Sequence, residues 1–189
     1  MEFKKVYLYK ELHKKDPNYG TSSIEYLPEI LSMIEYLKPK TILDYGCGKG
    51  AVDEAIQKHC PDIKVFGYDP AIEGKEVLLV EKADLVITTD VLEHIPEDEL
   101  PMVIEDIRKI SEKVYFHLHH AKAINILPNG ENAHCTVKPP AWYYELLSRY
   151  FDIVTPLKGR ADFLSVICTF DLPDDVKNRY MKIVEENKK

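Results

Sequence analysis

No stretch of this 189-residue sequence approaches the ~20 consecutive apolar residues that cross a bilayer, and the longest, such as Val77-Val80 and Asp84-Ile87, fall far short of it. No two cysteines stand in a CxxC pair. Cys47, Cys60, Cys135 and Cys168 are widely separated, which disfavours a structural zinc and a disulfide framework and predicts free thiols. There is no HExxH, no long run of lysine and arginine, no low-complexity tract and no internal repeat. A formal net charge of −7 repels a phosphate backbone at long range and argues against nucleic-acid partners. The segment Met1-Lys15 is basic but has no uninterrupted apolar core, so it reads as neither a secretory signal nor a membrane anchor. A cytoplasmic protein without membrane contact is expected.

What is present fits one globular domain, with 45% apolar and 30% charged residues. After Pro17-Asn18-Tyr19-Gly20, the pair Ser22-Ser23 is placed to cap a helix with Ile24, Leu27, Leu31, Ile34 and Leu37 at helical spacing, stopped by Pro39. Strands are predicted at Thr41-Tyr45, Ile63-Asp69, Ala83-Thr89 and Lys113-Leu118, and helices from Ala51 to about His59 and from Pro96 to Ile110. This alternation predicts an α/β fold with a mostly parallel, doubly wound sheet. A loop runs from Ala121 to Pro140, long enough to imply a functional role. A helix from Ala141 to Tyr150, a hairpin of Phe151-Leu157 and Phe163-Phe170 turning through Gly159, and a last helix with Val176, Tyr180, Ile183 and Val184 complete the chain. The expected division is a helical cap over 1–38, a core sheet over 39–172 and a C-terminal helix over 173–189.

The first strand runs into Gly46-Cys47-Gly48-Lys49-Gly50. Glycines there let the backbone approach a ligand closely, and the next helix start offers N–H donors to something anionic or nucleotide-like. A glycine turn alone is weak evidence, because tight turns require glycine anyway. Two acids sharpen it. Asp44 would crowd a pyrophosphate but suits a cationic amino acid group, and Asp69, nineteen positions past Gly50, stands where a carboxylate accepts hydrogen bonds from ribose hydroxyls. The spacing departs from the dinucleotide pattern GxGxxG, and Gly50 is followed by Ala51 rather than by the Lys-Ser/Thr of a phosphate-binding loop. A ligand with a ribose and an ammonium group describes S-adenosylmethionine better than NAD.

Leu43-Asp44-Tyr45-Gly46-Cys47-Gly48-Lys49-Gly50, Gly67-Tyr68-Asp69-Pro70 and Asp90-Val91-Leu92-Glu93-His94-Ile95 together resemble the class I S-adenosylmethionine-dependent methyltransferases, in particular the small generic methyltransferase-domain family. The resemblance covers about Tyr36 to Phe170 and implies a seven-stranded Rossmann-like sheet with a C-terminal hairpin, or a six-stranded one with a reduced third strand. It implies S-adenosylmethionine as cofactor, held at Asp44, Tyr45, Gly46, Cys47, Gly48, Gly50, Asp69, Pro70, Asp90, Val91 and His94. Asp44 would meet the cofactor ammonium, Gly46 and Gly48 would cradle it, and Asp69 would take the ribose. One departure stands out: only fourteen residues separate Asp69 from Asp84, too few for the family's helix, third strand and adenine-contacting acid. A strand at Glu76-Val80 must be short or displaced, and Asp84, at a strand start, is a poor adenine ligand.

Acceptor chemistry is sought among His119, His120 and His134 as general bases, with His117 on the face shared by His119 and assigned to packing. Tyr19, Asn132 and Trp142 are the candidate substrate contacts; Trp142 either walls the pocket or anchors its helix. No metal is expected from these spacings. The acceptor is expected to be a small molecule or glycan-type metabolite. The alternatives are a catalytically silent cofactor-binding subunit and, further off, a Rossmann-type oxidoreductase.

Overall fold

A computed structural model describes residues 3–157 and 162–186; the expected turn at Gly159 lies outside them. Six strands form one sheet in the order β2-β1-β3-β4-β6-β5: β1 (Thr41–Tyr45), β2 (Lys64–Tyr68), β3 (Leu85–Thr89), β4 (Val114–His119), β5 (Val154–Leu157) and β6 (Phe163–Cys168). The first four are parallel, and β6 runs antiparallel between β4 and β5. The helices are α1 (Val6–Lys15), α2 (Leu27–Leu37), α3 (Ala51–His59), α4 (Leu100–Ile110), α5 (Pro140–Leu147) and α6 (Asp174–Glu186).

Strand residues alternate between two cores. Leu43, Val86, Phe116 and Leu118 pack with α4 and α5, whereas Ile42, Leu85, Ile87 and Tyr115 pack with α2, α3 and α6. Both faces are covered, which is why the central strands read as nearly continuous apolar runs. Among the described residues no helix is long and apolar enough to cross a membrane.

Three expectations change. Ser22-Ser23 begins a 3₁₀ helix, Ser22–Tyr26, and makes no side-chain cap. Pro28, near the start of α2, lacks the N–H and would crowd the Ile24 carbonyl in a continuous α-helix, so the chain tightens before α2 begins. Secondly, no strand forms at Glu76-Val80, and β2 is the sheet edge. A parallel strand requires a crossover of a dozen or more residues on either side, and this interval holds too few for two of them. Thirdly, the helical cap expected over 1–38 includes a helix, α1, for which no bounds were read from the sequence. Its short apolar face, Leu8, Tyr9 and Leu12, packs on Leu127 and Ala133 of the long loop.

Asp84 acts as a clamp at the end of β1 opposite the glycine turn. Its Oδ2 accepts the N–H groups of Lys40 (2.8 Å) and Thr41 (2.9 Å) and the Thr41 hydroxyl (3.1 Å), tying β1 to β3.

Candidate active site

A cavity of about 480 Å³ opens where β1, β2, β3 and β4 end, and it is roofed by α1, the segment 16–26 and the loop 121–139. Strand order reverses between β1 and β3, the position where open α/β sheets bind ligands. Of the cofactor residues inferred from sequence, Tyr45, Gly46, Gly48, Asp69, Pro70, Asp90, Val91 and His94 line this cavity, and so do Tyr19, His119 and His134. Asp44, Cys47, Gly50, His120, Asn132 and Trp142 are not on its wall.

The glycine turn is held by its own amides. Gly46 and Cys47 donate to the Tyr68 carbonyl (2.7 and 3.1 Å), Gly48 to Asp69 Oδ2 (3.0 Å), Lys49 to the Gly20 carbonyl (3.2 Å) and Gly50 to the Cys47 carbonyl (2.9 Å). All five N–H groups are therefore satisfied within the protein. A phosphate cradle needs free amides, and those of the turn itself are spent, which leaves only the start of α3 to offer the donors expected from the sequence. Gly48 adopts φ 51°, and a Cβ there would overlap the Gly20 carbonyl oxygen, so only glycine lets the N-terminal segment cross the turn. Lys49 secures the crossing, with Nζ donating to the carbonyls of Asp16 (2.9 Å) and Pro17 (2.5 Å).

Two carboxylates flank the turn on the cavity wall. Asp69 accepts from Gly48 and, through Oδ1, from the Ala71 N–H (2.8 Å); burial still raises its pKa against these two bonds. Asp90, at the end of β3, has a left-handed backbone (φ 57°), a conformation aspartate tolerates better than most residues, and its Oδ1 lies 3.2 Å from His117 Nδ1. His117 is buried and packs against Tyr26, with ring centroids 3.7 Å apart and the planes tilted by 31°. It shares the Phe163 ring with His119, as strand alternation requires.

Asp44 is wholly buried at the base of the turn. Burial first, and then the neighbouring Asp53 carboxylate, push its pKa well up; Lys75 opposes them. The folded protein therefore holds this proton more tightly than the unfolded chain does. The stabilisation is complete at pH below the ordinary carboxylate range and is lost as pH rises through the elevated folded value. Asp44→Asn, which mimics the neutral acid, should raise Tm at about pH 8 by about 2–4 °C per kcal/mol recovered, with the gain over wild type shrinking toward about pH 5. Thermal unfolding across that range checks it; a variant less stable than wild type throughout would show that the carboxylate is charged and paired.

The remaining residues off the wall have structural partners. Cys47 is buried, with Sγ 3.5 Å from Lys75 Nζ, and Gly50 precedes α3 facing Lys75 and Asp53. Asn132 is a latch within the long loop: Oδ1 accepts the N–H groups of Ala123 and His134 (both 3.0 Å) and Nδ2 donates to the Ala123 carbonyl (2.8 Å). Trp142 packs edge-on against Tyr143 beneath the Lys138 ammonium, which is the anchoring alternative. The His120 N–H donates to the Asp162 carbonyl (2.9 Å).

Sequence reasoning missed several wall residues. His13 of α1 packs on Tyr19, with ring centroids 4.7 Å apart, and the Tyr9 hydroxyl lies 2.8 Å from the carbonyls of both His94 and Ala133, binding α1 to the loop. Glu93 was within the motif Asp90–Ile95 yet had no assigned role. It is fully buried, and burial and then Asp90 raise its pKa strongly. Burial and then His134 depress His94 to about 4, and burial also lowers His119 and His134, so these imidazoles are neutral at physiological pH.

Residues 23–147 match a family model described as a methyltransferase domain. No curated protein matches the sequence. Among solved structures, the DhpI–SAH complex is 15% identical, with 87% of this chain and 94% of that one covered at a TM-score of 0.59. Burkholderia thailandensis 1,6-didemethyltoxoflavin-N1-methyltransferase, solved with 1,6-didemethyltoxoflavin and S-adenosylhomocysteine, is 14% identical over 86% of this chain and 85% of that one, with a TM-score of 0.58. Human N-acetylserotonin methyltransferase, solved with SAM, is 17% identical at a TM-score of 0.55, covering 76% of this chain. The chain spans about half the length of that human protein, 51%, and 55% of a chain from Nostoc punctiforme. At such identities the likeness is one of fold. The family match, by contrast, runs from the 3₁₀ turn ahead of α2 to the end of α5 and takes in the ends of all four parallel strands, so the chain belongs to the methyltransferase-domain family, in its class I, Rossmann-like form.

Proposed function

We propose that the chain is an enzyme that binds S-adenosylmethionine in this cavity and transfers its methyl group to a small-molecule or glycan-type acceptor. The observation that carries the reading is the spent glycine turn between Asp69 and Asp90. A site with two acids and no free turn amides repels a pyrophosphate and favours a cationic, hydroxyl-bearing ligand. The residues present fit that ligand: Asp69 would take the ribose hydroxyls, Gly46 and Gly48 leave room for close approach, and Asp90 faces the positive end. Asp44, off the wall, makes no contact with that end and supports the base of the turn. The cofactor, once bound, supplies a methyl carbon already activated by its sulfonium.

The protein's share is alignment, water exclusion and proton removal. α1 and the loop 121–139 close over the cavity. His119, neutral and stacked on Phe163 with ring centroids 4.3 Å apart, is positioned to accept a proton from an acceptor group. The formal charge of −7 supports a small acceptor over nucleic acid, and the four free thiols go with a reducing, cytoplasmic setting.

Calorimetric titration of the full chain should give one-to-one binding of S-adenosylmethionine and S-adenosylhomocysteine and none of NAD(H). Incubation with S-adenosylmethionine and a metabolite extract should release S-adenosylhomocysteine. Binding without release would identify a silent subunit, and NAD(H) binding without S-adenosylmethionine binding would defeat the proposal outright.

A further inference from the structure

Glu93 and His94 sit on the 3₁₀ helix Leu92–His94 after β3, and His134 reaches them from the long loop, so that one ligand atom from each lies within 4.8 Å of the others. The hydrogen bonds around them decide which atoms are free to bind an ion. His94 Nδ1 is 2.9 Å from the Ala133 carbonyl and His134 Nδ1 is 2.6 Å from the Ala121 carbonyl. A carbonyl only accepts, so both Nδ1 atoms carry the hydrogen and both Nε2 atoms present a lone pair. Backbone carbonyls that orient imidazoles in this way are the usual outer support of metal-binding histidines.

Glu93 completes the set. Its Oε1 accepts the His119 N–H at 2.7 Å, while Oε2 is buried with no hydrogen-bond partner among the described residues. A buried carboxylate oxygen without a partner is costly, and a cation beside it removes that cost. His94 and His134 also line the cavity, as does Asp90, so an ion held here would be reachable from solvent and keep coordination positions free.

We propose that Glu93 Oε2, His94 Nε2 and His134 Nε2 bind one divalent first-row transition-metal ion, with its open positions facing the cavity. Two imidazoles and one carboxylate suit zinc, iron, cobalt or manganese better than magnesium or calcium, which prefer all-oxygen sets. Ligands about 2.0–2.2 Å from one tetrahedral ion stand roughly 3.3–3.6 Å apart, so side-chain rotations that bring the donor atoms of these residues, which already approach within 4.8 Å, to that spacing complete the site. Chain spacing gave no hint of it, because the third ligand is brought in by the fold of the loop. An acceptor oxygen would fill an open position and leave His119 to take its proton; this last point alone rests on the methyl-transfer reading.

The test uses the full chain stripped with a chelator and titrated with Zn2+ by calorimetry and with Co2+ by visible absorption, with no cofactor or acceptor present. One equivalent should bind, and His134→Ala and Glu93→Gln should each weaken binding on the order of 100-fold while far-UV circular dichroism is unchanged. His59→Ala, an exposed histidine on α3, should bind as wild type does. If a variant fails to fold, paramagnetic shifts of the His94 and His134 ring protons on Co2+ addition to the wild-type protein decide. Absence of stoichiometric binding, wild-type affinity in both variants, or unshifted ring protons would overturn the site. Since S-adenosylmethionine binding is measured separately, failure here and failure of the methyl-transfer reading are distinguishable.

Discussion

Asp69→Ala will bind S-adenosylmethionine on the order of 100- to 1000-fold more weakly than the wild-type protein. The carboxylate has two tasks, and both are lost. It fixes the turn by accepting the Gly48 and Ala71 N–H groups, and its remaining lone pairs face the cavity where a ribose would sit. Hydrogen bonds to a charged acceptor are worth about 1.5–3 kcal/mol each, so two near the low end of that range, about 3–4 kcal/mol together, account for the stated loss. Asp69→Asn, which keeps one acceptor oxygen, should fall between. Titration calorimetry on both variants is the measurement; an alanine variant within about threefold of wild type would place the cofactor elsewhere.

Gly48→Ala is expected to be nearly as damaging through geometry alone. A left-handed backbone costs an alanine about 1–2 kcal/mol, and the added Cβ would strike the Gly20 carbonyl, a backbone atom that cannot rotate aside. The N-terminal segment must then lift off, breaking the Lys49 N–H bond to Gly20 and uncovering the cavity. Cofactor affinity should drop about 100-fold, with faster proteolysis around residues 16–21. Gly130→Ala supplies the contrast: it shares the positive φ, at 88°, but its Cβ would meet open space, so it should cost about 1 kcal/mol and leave binding intact. Equal effects at the two glycines would mean that strain, rather than the crossing chain, governs Gly48.

β1 with its glycine turn, Asp69 at the end of β2 and Asp90 at the end of β3 were legible because each is a local pattern: an apolar run of strand length closed by a turn residue or a carboxylate. The bounds and buried face of α1 within the expected helical cap were not, since three apolar positions on a polar helix become a core face only when Leu127 and Ala133 arrive from over a hundred residues away. Asp44 and Trp142 illustrate the same limit. Their chemistry was right for a site, but which way each faces depends on neighbours such as Asp53 and Lys138 that only packing supplies.

By itself the sequence determined the strand and helix alternation, the left-handed glycines of the turn and the shortened interval after Asp69, because these follow from backbone sterics and side-chain period within some twenty residues. Only the tertiary structure decided that the turn amides are spent, that Asp90 rather than Asp44 shares the wall with Asp69, and that Glu93, His94 and His134 converge. Those outcomes depend on hydrogen bonds and contacts between segments remote in the chain, whose partners no local pattern names.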